Sequence, residues 1–288
     1  MIYLPNLTKL KNSAMKNTSL VALIISTIFA TSAFATEPDT PTNNKKQTPA
    51  SMVAETPDSK FTVGLAVGTT IPLSNFANSA ASTDSTHING AAQTGIHFNA
   101  TAGYKIYKII GAMVMVGGNI NGYNAPSSGF SVVSPSGPHY IGQYLAGPCV
   151  SIPVCKKFFI EARALAGLMT SHYPELSSNY SGSLGGFVSS SFTYSYKLTS
   201  GLGFGYSGGV GAKYMLRDHF GITLNVTYAG SNIKYSGYTV HETVTTTSIF
   251  GAYSNTPLPN YNTTNSYNTP VHMSVGMIAV SAGAAYSF

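Results

Sequence analysis

Glu161 and Arg163 are oppositely charged residues spaced two apart in a segment where apolar residues alternate with small or polar ones. Side chains two apart on a β-strand point to the same face, so this spacing places the carboxylate beside the guanidinium. Lys213 lies in a second alternating segment, on the face that also carries a run of alternate glycines. Glycines leave room for long neighbouring side chains. The three residues predict a charge cluster, which either gates ions or forms structural salt bridges.

Cys149 and Cys155 are the two cysteines of the chain, and they flank the predicted turn between the fourth and fifth strands. No histidine or third cysteine lies near them in the sequence, so a catalytic or metal-binding role is disfavoured. Two cysteines can be joined when their Cα atoms come within about 7 Å, provided that the compartment is oxidising. We predict a disulfide that staples the turn, with two free thiols as the alternative.

His272 and Ser274 are also two apart, which is the pattern of a base beside a hydroxyl nucleophile. No Asp or Glu follows Glu242, so the acid that would orient the histidine is missing downstream. Five of the seven histidines lie on the side of the predicted loops, without the spacing of metal ligands: His87, His139, His172, His241 and His272. The sequence therefore predicts no enzyme, no cofactor and no metal site.

The composition excludes several classes of protein. Only 8% of the residues are charged, against about 25% in an ordinary soluble domain. The net charge of +6 includes Lys9, Lys11 and Lys16, which lie in a predicted leader; removing these three from 15 basic residues leaves 12 against 9 acidic ones. This excess is too small for a nucleic-acid-binding protein.

The first 60 residues have the character of an export leader and a tail. An apolar run at 20–29 follows Lys16, and Ala33-Phe34-Ala35 forms a small-x-small cleavage site. We predict a cleaved signal peptide at 1–35, with Met15 as the expected translation start and Met1 as the alternative. Residues 36–60 are polar and rich in proline, so we predict a flexible tail on the periplasmic side.

Eight segments after the tail alternate in hydrophobicity with a period of two. These segments are 61–69, 94–104, 109–123, 139–152, 157–170, 201–214, 220–228 and 278–288. Short connections alternate strictly with long predicted loops along the chain. The short connections are 105–108, 153–156 and 215–219, and the long loops are 72–93, 124–138, 171–197 and 231–271. All short connections therefore lie at one end of the strands, where aromatic residues are also concentrated. The pattern predicts an all-β fold at 61–288: an eight-stranded antiparallel up-and-down transmembrane β-barrel. A secreted β-sandwich is the alternative. Because an eight-stranded barrel is narrow, salt bridges are favoured over an ion gate for the charge cluster.

The last strand has apolar residues at alternate positions up to Tyr286 and the final Phe288. This ending resembles the C-terminal assembly signal of bacterial outer-membrane proteins, and the eight strands resemble the OmpA/OmpX/opacity superfamily of small barrels. The resemblance implies an outer-membrane location and insertion by the barrel-assembly machinery, in contact with outer-membrane lipid and lipopolysaccharide. The chain departs from OmpA itself, which continues into a peptidoglycan-binding domain, so we expect no such domain and no role in cell-wall anchoring.

The longest predicted loop, 231–271, combines tyrosine with Asn, Thr and Ser. Its tyrosines are Tyr235, Tyr238, Tyr253, Tyr261 and Tyr267. This composition is favoured at protein-recognition surfaces, so we predict adhesion to a host or matrix ligand, or envelope protection by an immune-exposed lid. A small-solute channel is the first alternative. A lipid A-modifying enzyme is the second, because His272 and Ser274 are similar to the His–Ser pair of the lipid A deacylases.

Overall fold

The computed structural model describes residues 59–80, 82, 84, 86–124, 132–184, 188–248 and 261–288. The predicted signal peptide, the tail up to residue 58, and Tyr253 lie outside the described residues. Within the described part, no helix is long and apolar enough to cross a membrane.

Fourteen strands and one short helix make up the described chain. In chain order they are β1 (Phe61–Pro72), α1 (Ser74–Ala77), β2 (His87–Ile88), β3 (Ala92–Tyr107), β4 (Ile110–Tyr123), β5 (Val132–Pro135), β6 (His139–Cys155), β7 (Phe158–His172), β8 (Leu176–Leu184), β9 (Val188–Leu198), β10 (Gly201–Met215), β11 (Phe220–Tyr235), β12 (Tyr238–Ser248), β13 (Tyr261–Tyr267) and β14 (Val271–Ser287).

The wall of the molecule is a closed barrel of eight antiparallel strands. They follow one another in the order β1-β3-β4-β6-β7-β10-β11-β14, and β14 pairs back with β1. At the seam, the N–H of Phe61 donates to the carbonyl of Phe288 at 3.0 Å and the N–H of Phe288 donates to the carbonyl of Phe61 at 2.9 Å. The prediction of an eight-stranded up-and-down barrel is confirmed.

The outside of this barrel is apolar. Leu202, Phe204 and Val210 on β10 are 53%, 67% and 61% exposed, while the odd-numbered residues between them face the interior. In a β-sandwich this stripe would be buried against a second sheet. The sandwich alternative is therefore wrong.

One end of the barrel, called here the turn end, has short connections and a ring of aromatic side chains. Only Lys108–Ile109 separate β3 from β4, and only Lys156–Lys157 separate β6 from β7. Lys108 has a positive φ of 38°, which a two-residue hairpin requires. Phe288 lies 5.3 Å from Phe61 and 5.8 Å from Tyr286 between ring centroids, so the predicted terminal residues are part of this ring.

At the opposite end, called here the loop end, three of the predicted long loops contain strands. β5, β8, β9, β12 and β13 form a second sheet, called here the surface sheet, in the order β13-β12-β9-β8-β5. Each of its strands adjoins one barrel strand along the chain, and the corresponding barrel order is β14-β11-β10-β7-β6. More than half of the barrel wall is thus extended beyond the rim. The prediction of loops at 124–138, 171–197 and 231–271 is wrong in this respect, because their Thr, Val, Tyr and Phe residues favour paired strands.

The first predicted loop, 72–93, folds differently. The N–H of Leu73 donates to the carbonyl of Gly276 at 2.8 Å, and α1 then places Phe76 in the interior, where it is fully buried. The chain returns through β2, which pairs in parallel with the start of β14 beyond the point where β1 ends.

Apolar side chains fill the interior at the loop end. Phe76 packs there with a cluster that includes Met115, Ile141, Leu145, Leu165, Met169, Ile233, Tyr235, Met273 and Met277. The flexible thioether side chains of methionine suit such an irregular space. The interior therefore has an apolar core at the loop end and, as described below, a polar cavity at the turn end.

Candidate functional site

The predicted charge cluster lies inside the barrel towards the turn end. Lys213 Nζ is 2.7 Å from Glu161 Oε1, across the β7–β10 pair. Arg163 forms no ion pair with any described residue, and its Nη2 donates instead to Thr227 Oγ1 on β11 at 2.8 Å. The structure thus brings Glu161 and Lys213 into contact and leaves Arg163 beside a neutral partner.

Two glycines of β10 make room for these side chains. Gly209 and Gly211 are the cross-strand partners of Arg163 and Glu161. A Cβ at Gly209 would lie 2.8 Å from Thr227 Oγ1 and 3.3 Å from Arg163 Nε. The space above the glycine is therefore needed by the Arg163–Thr227 contact.

The cluster borders a cavity of about 130 Å³, called here the turn-end cavity. Among the described residues of its lining, Glu161 is the one acidic residue. Its basic lining residues are Lys60, Lys105, Lys108, Arg163 and Lys213. Basic side chains therefore outnumber acidic ones among the described lining residues.

Cys149 and Cys155 are both free thiols, and both lie on β6. A strand rises about 3.3 Å per residue, so six residues separate their Cα atoms by about 20 Å, far beyond the limit of about 7 Å for a disulfide. The predicted turn-stapling disulfide is wrong because β6 continues to Cys155 instead of turning at 153. Cys149 faces the turn-end cavity, directly across from Arg163 on β7.

A second polar group inside the barrel was missed by the sequence reasoning. His97 Nδ1 lies 2.7 Å from Asn119 Oδ1, and His97 Nε2 lies 2.8 Å from Asn99 Nδ2. All three side chains are buried. Their odd-numbered positions on the inward faces of β3 and β4 were the available signal, since polar residues alternate there with apolar outward ones.

His272 and Ser274 lie on the outward-facing side of β14 near the loop end, and no hydrogen bond joins them in the described structure. Folding brings one acid towards them, Asp84, which binds His87 at 2.7 Å, and the His87 ring lies 5.8 Å from that of His272. Hydrogen bonds from the backbone and hydroxyl of Thr86 and from His87 lower the pKa of Asp84 to about 2. The carboxylate is thus committed to Thr86 and His87, and no acid–His272–Ser274 relay is formed.

His139 departs from the expectation that five histidines lie on the external side. It is fully buried in the barrel at the loop end, between the rings of Phe76 and Tyr173 at 5.1 and 5.2 Å. Nowhere in the described chain do three or more His, Cys, Asp or Glu side chains form a group that could hold a metal ion.

The surface sheet has two chemically distinct faces. Alternation and strand register place most of its aromatic residues on one face, called here the aromatic face: Tyr180, Phe192, Tyr194, Tyr196, Tyr238, Tyr261 and Tyr267. The other face, called here the hydroxyl face, carries residues such as Thr193, Thr243, Thr245, Asn262 and Thr264. The only Lys, Arg, Asp or Glu residues in the five strands are Lys197 and Glu242.

The predicted recognition tyrosines are divided by this arrangement. Tyr261 and Tyr267 are 54% and 43% exposed on the aromatic face. Tyr238 is half-buried and stacks on Tyr267, with ring centroids 4.9 Å apart. Tyr235 is fully buried in the barrel and donates a hydrogen bond to Ser171 Oγ at 2.7 Å, so its assignment to a recognition loop is wrong.

Burial and hydrogen bonding perturb other tyrosines near the surface sheet. Burial raises the pKa of Tyr196 to about 12, and it also raises the pKa of Tyr173 at the end of β7. Tyr194 donates a hydrogen bond to Glu242 Oε1 at 3.0 Å, which raises the pKa of the Tyr194 hydroxyl. The base of the aromatic face therefore continues the apolar core, while its outer part meets solvent.

No family model matches the sequence, and no curated protein matches it. Among solved structures, the chain is similar to Neisserial surface protein A, with 15% identity and a TM-score of 0.40 over 79% of this chain and 97% of that one. It is also similar to Ail, the attachment invasion locus protein of Yersinia pestis (11% identity, TM-score 0.37, 79% and 99% covered). A third similar structure is a major outer membrane protein from Thermus thermophilus (14% identity, TM-score 0.37, 80% and 100% covered). By its own strand pairing, the chain is an eight-stranded antiparallel barrel.

Proposed function

We propose that the protein is a non-enzymatic outer-membrane protein whose surface sheet mediates adhesion to an uncharged surface of a host or matrix ligand. The single observation that carries this proposal is the exposed aromatic face on a sheet almost free of charge. Tyrosine supplies rigid contact area at low entropic cost, and neighbouring Ser, Thr and Asn supply adaptable hydrogen bonds.

The outer wall of the barrel supports the membrane location. Outward side chains such as Leu65, Phe98 and Leu224 are exposed along the wall. The barrel strands have 12–17 residues, more than the 9–11 or so that a tilted strand needs to cross a bilayer. In this orientation the turn end faces the periplasm, and the surface sheet faces outwards above outer-membrane lipid and lipopolysaccharide. Tyr286 and Phe288 then present the signal for the barrel-assembly machinery.

The channel alternative is disfavoured by the apolar core. Fully buried Phe76, Met273 and Met277 occupy the interior between the turn-end cavity and the loop end. A solute would have to displace these side chains to cross. The enzyme alternative is disfavoured because no acid among the described residues binds His272.

The proposal is tested with cells that express variants of either face of the surface sheet. The aromatic-face variant combines Tyr194→Ser, Tyr261→Ser and Tyr267→Ser. The matched control changes the hydroxyl face: Thr193→Ala, Thr245→Ala and Asn262→Ala. We expect the first variant to lose attachment to host-cell or matrix-coated surfaces by about tenfold or more, as for the loss of aromatic anchors at a protein interface. Heat-modifiable gel migration should show that both variants still form barrels.

Attachment should also depend weakly on ionic strength, because Glu242 is the single charged side chain on the described aromatic face and leaves little charge for salt to screen. Equal attachment by the wild type, the aromatic-face variant and cells without the protein would refute the proposal. An equal loss in the hydroxyl-face control would also count against it.

A further inference from the structure

We propose that the turn-end cavity is a binding site for a small tetrahedral oxyanion, such as phosphate or sulfate, with Arg163 as its principal ligand. This proposal is independent of adhesion by the surface sheet. It uses the barrel orientation only to say that the anion enters from the periplasm.

The charge of the cavity is the first reason. Among the described residues, five basic side chains and one acidic side chain line it. Glu161 is already paired with Lys213 at 2.7 Å, so the positive charge of Arg163 is not compensated by a carboxylate among the described residues. A cleft lined by one sign of charge between low-dielectric walls concentrates ions of the opposite sign.

The donors of Arg163 are the second reason. A guanidinium has five N–H donors in a planar fork that matches the oxygens of phosphate or sulfate. Its one hydrogen bond within the described structure, to Thr227, orients the side chain and leaves other donors for a ligand. Gly209 keeps the space beside this contact open. Asn99 and Asn225 also line the cavity; their amide nitrogens contact His97 and Thr223, and the second N–H of each amide is left for a ligand.

Size and access are the third reason. At about 130 Å³, the cavity has space for roughly four water molecules at liquid density, which is enough for one small oxyanion. The lining includes Lys60, Lys108 and Ser287 at the turn end, while the apolar core closes the loop end. The cavity is therefore a dead-end chamber and not part of a pore.

Cys149 provides a native reporter for this site. It lines the cavity and is the direct cross-strand partner of Arg163, so their Cβ atoms are about 5 Å apart. The variant Cys155→Ser leaves Cys149 as the single thiol of the chain. In the folded, detergent-solubilised full chain, the rate of Cys149 modification is measured with a negatively charged sulfonate and a positively charged trimethylammonium methanethiosulfonate reagent.

We expect the anionic reagent to react at least about tenfold faster than the cationic one. The charge of Arg163, about 8 Å from the reacting thiol, attracts the anionic reagent and repels the cationic one. At an effective dielectric constant near 40, the two effects together are sufficient for such a ratio of rates. Millimolar inorganic phosphate should slow the anionic reagent several-fold, and sulfate should do the same. Arg163→Gln should reduce the charge preference and abolish protection by phosphate.

Lys156→Gln is the matched control, because Lys156 is a basic residue of the same barrel end that does not line the cavity. It should leave both the charge preference and the phosphate protection unchanged. Arg163→Lys keeps the charge but removes the planar fork, so it should retain the reagent preference and weaken the protection. It also keeps the test decisive if Arg163→Gln does not fold. The proposal is overturned if Cys149 is unreactive with both reagents, if the cationic reagent reacts as fast as the anionic one, or if phosphate and sulfate give no protection.

Discussion

Glu161→Gln is expected to destabilise the barrel more than removal of its partner, Lys213. The two side chains are 9% (Lys213) and 25% (Glu161) exposed, so the ammonium is the more deeply buried group. Glu161→Gln leaves that ammonium without its carboxylate and beside the second cation, Arg163. Lys213→Met leaves the more exposed carboxylate of Glu161 without its lysine. Arg163 still lies near this carboxylate, because the two residues are two apart on β7 and share a face.

The magnitude follows from the cost of an unpaired buried charge. Breaking a fully buried pair by removing one partner costs about 3–5 kcal/mol. Because Glu161 retains access to water, we expect about 2–3 kcal/mol for Glu161→Gln and about 1 kcal/mol for Lys213→Met. A difference of about 1.4 kcal/mol corresponds to a tenfold change in the unfolding equilibrium constant. The double variant should recover most of the loss, since it removes both charges.

The assay is urea unfolding of the four proteins in one detergent, followed by gel migration and, because the chain has no tryptophan, by tyrosine fluorescence. The coupling free energy from this double-mutant cycle measures the interaction between Glu161 and Lys213 separately from the effect of each single substitution on stability. The reasoning is refuted if Glu161→Gln costs no more than Lys213→Met, or if the two effects are additive.

Three further predictions concern β10, the surface sheet and β6. Gly209→Ala should lower the free energy of unfolding by about 1–3 kcal/mol in the same urea assay, because the new Cβ would crowd Thr227 and Arg163. Gly208 has open space around it, so Gly208→Ala should change the free energy of unfolding by less than about 0.5 kcal/mol. Burial raises the pKa of Tyr196 to about 12, so its neutral phenol contributes stability that is fully present below its unfolded pKa near 10 and is lost as the pH rises through about 12. Tyr196→Phe should remove this loss of stability at alkaline pH. It should also remove one late-titrating component of the absorbance at high pH. An oxidant should not join Cys149 to Cys155, and a non-reducing gel followed by thiol counting of the unfolded chain should find both thiols free.

The barrel wall could be predicted from the sequence because a strand has a local period of two. A strand between lipid and a narrow interior needs apolar residues on one face and small or polar residues on the other, and Gly201–Met215 shows this pattern residue by residue. The alternation of short and long connections then determined which strand ends lie together. Glu161, Arg163 and Lys213 could be assigned to the interior on the same grounds.

The contacts made by those residues could not be predicted in the same way. Pairing of Lys213 with Glu161, and of Arg163 with Thr227, depends on the register between β7, β10 and β11. The disulfide prediction failed for a related reason, since the length of β6 is set by pairing with β7 as far as Cys155. Local spacing in the sequence does not specify how far two strands remain paired.

The sequence by itself determined the class of the fold, the number of wall strands, and which face of each strand points outwards or into the interior. Only the tertiary structure decided that the connections at the loop end continue the wall as a surface sheet, that Phe76 and four methionines close the interior, and that five basic residues surround one cavity. The physical reason is the distance along the chain between the residues that interact. Alternation is a property of neighbouring residues, whereas pairing of hydroxyl-rich strands and the filling of a narrow interior depend on residues far apart in the chain that closure of the barrel brings together.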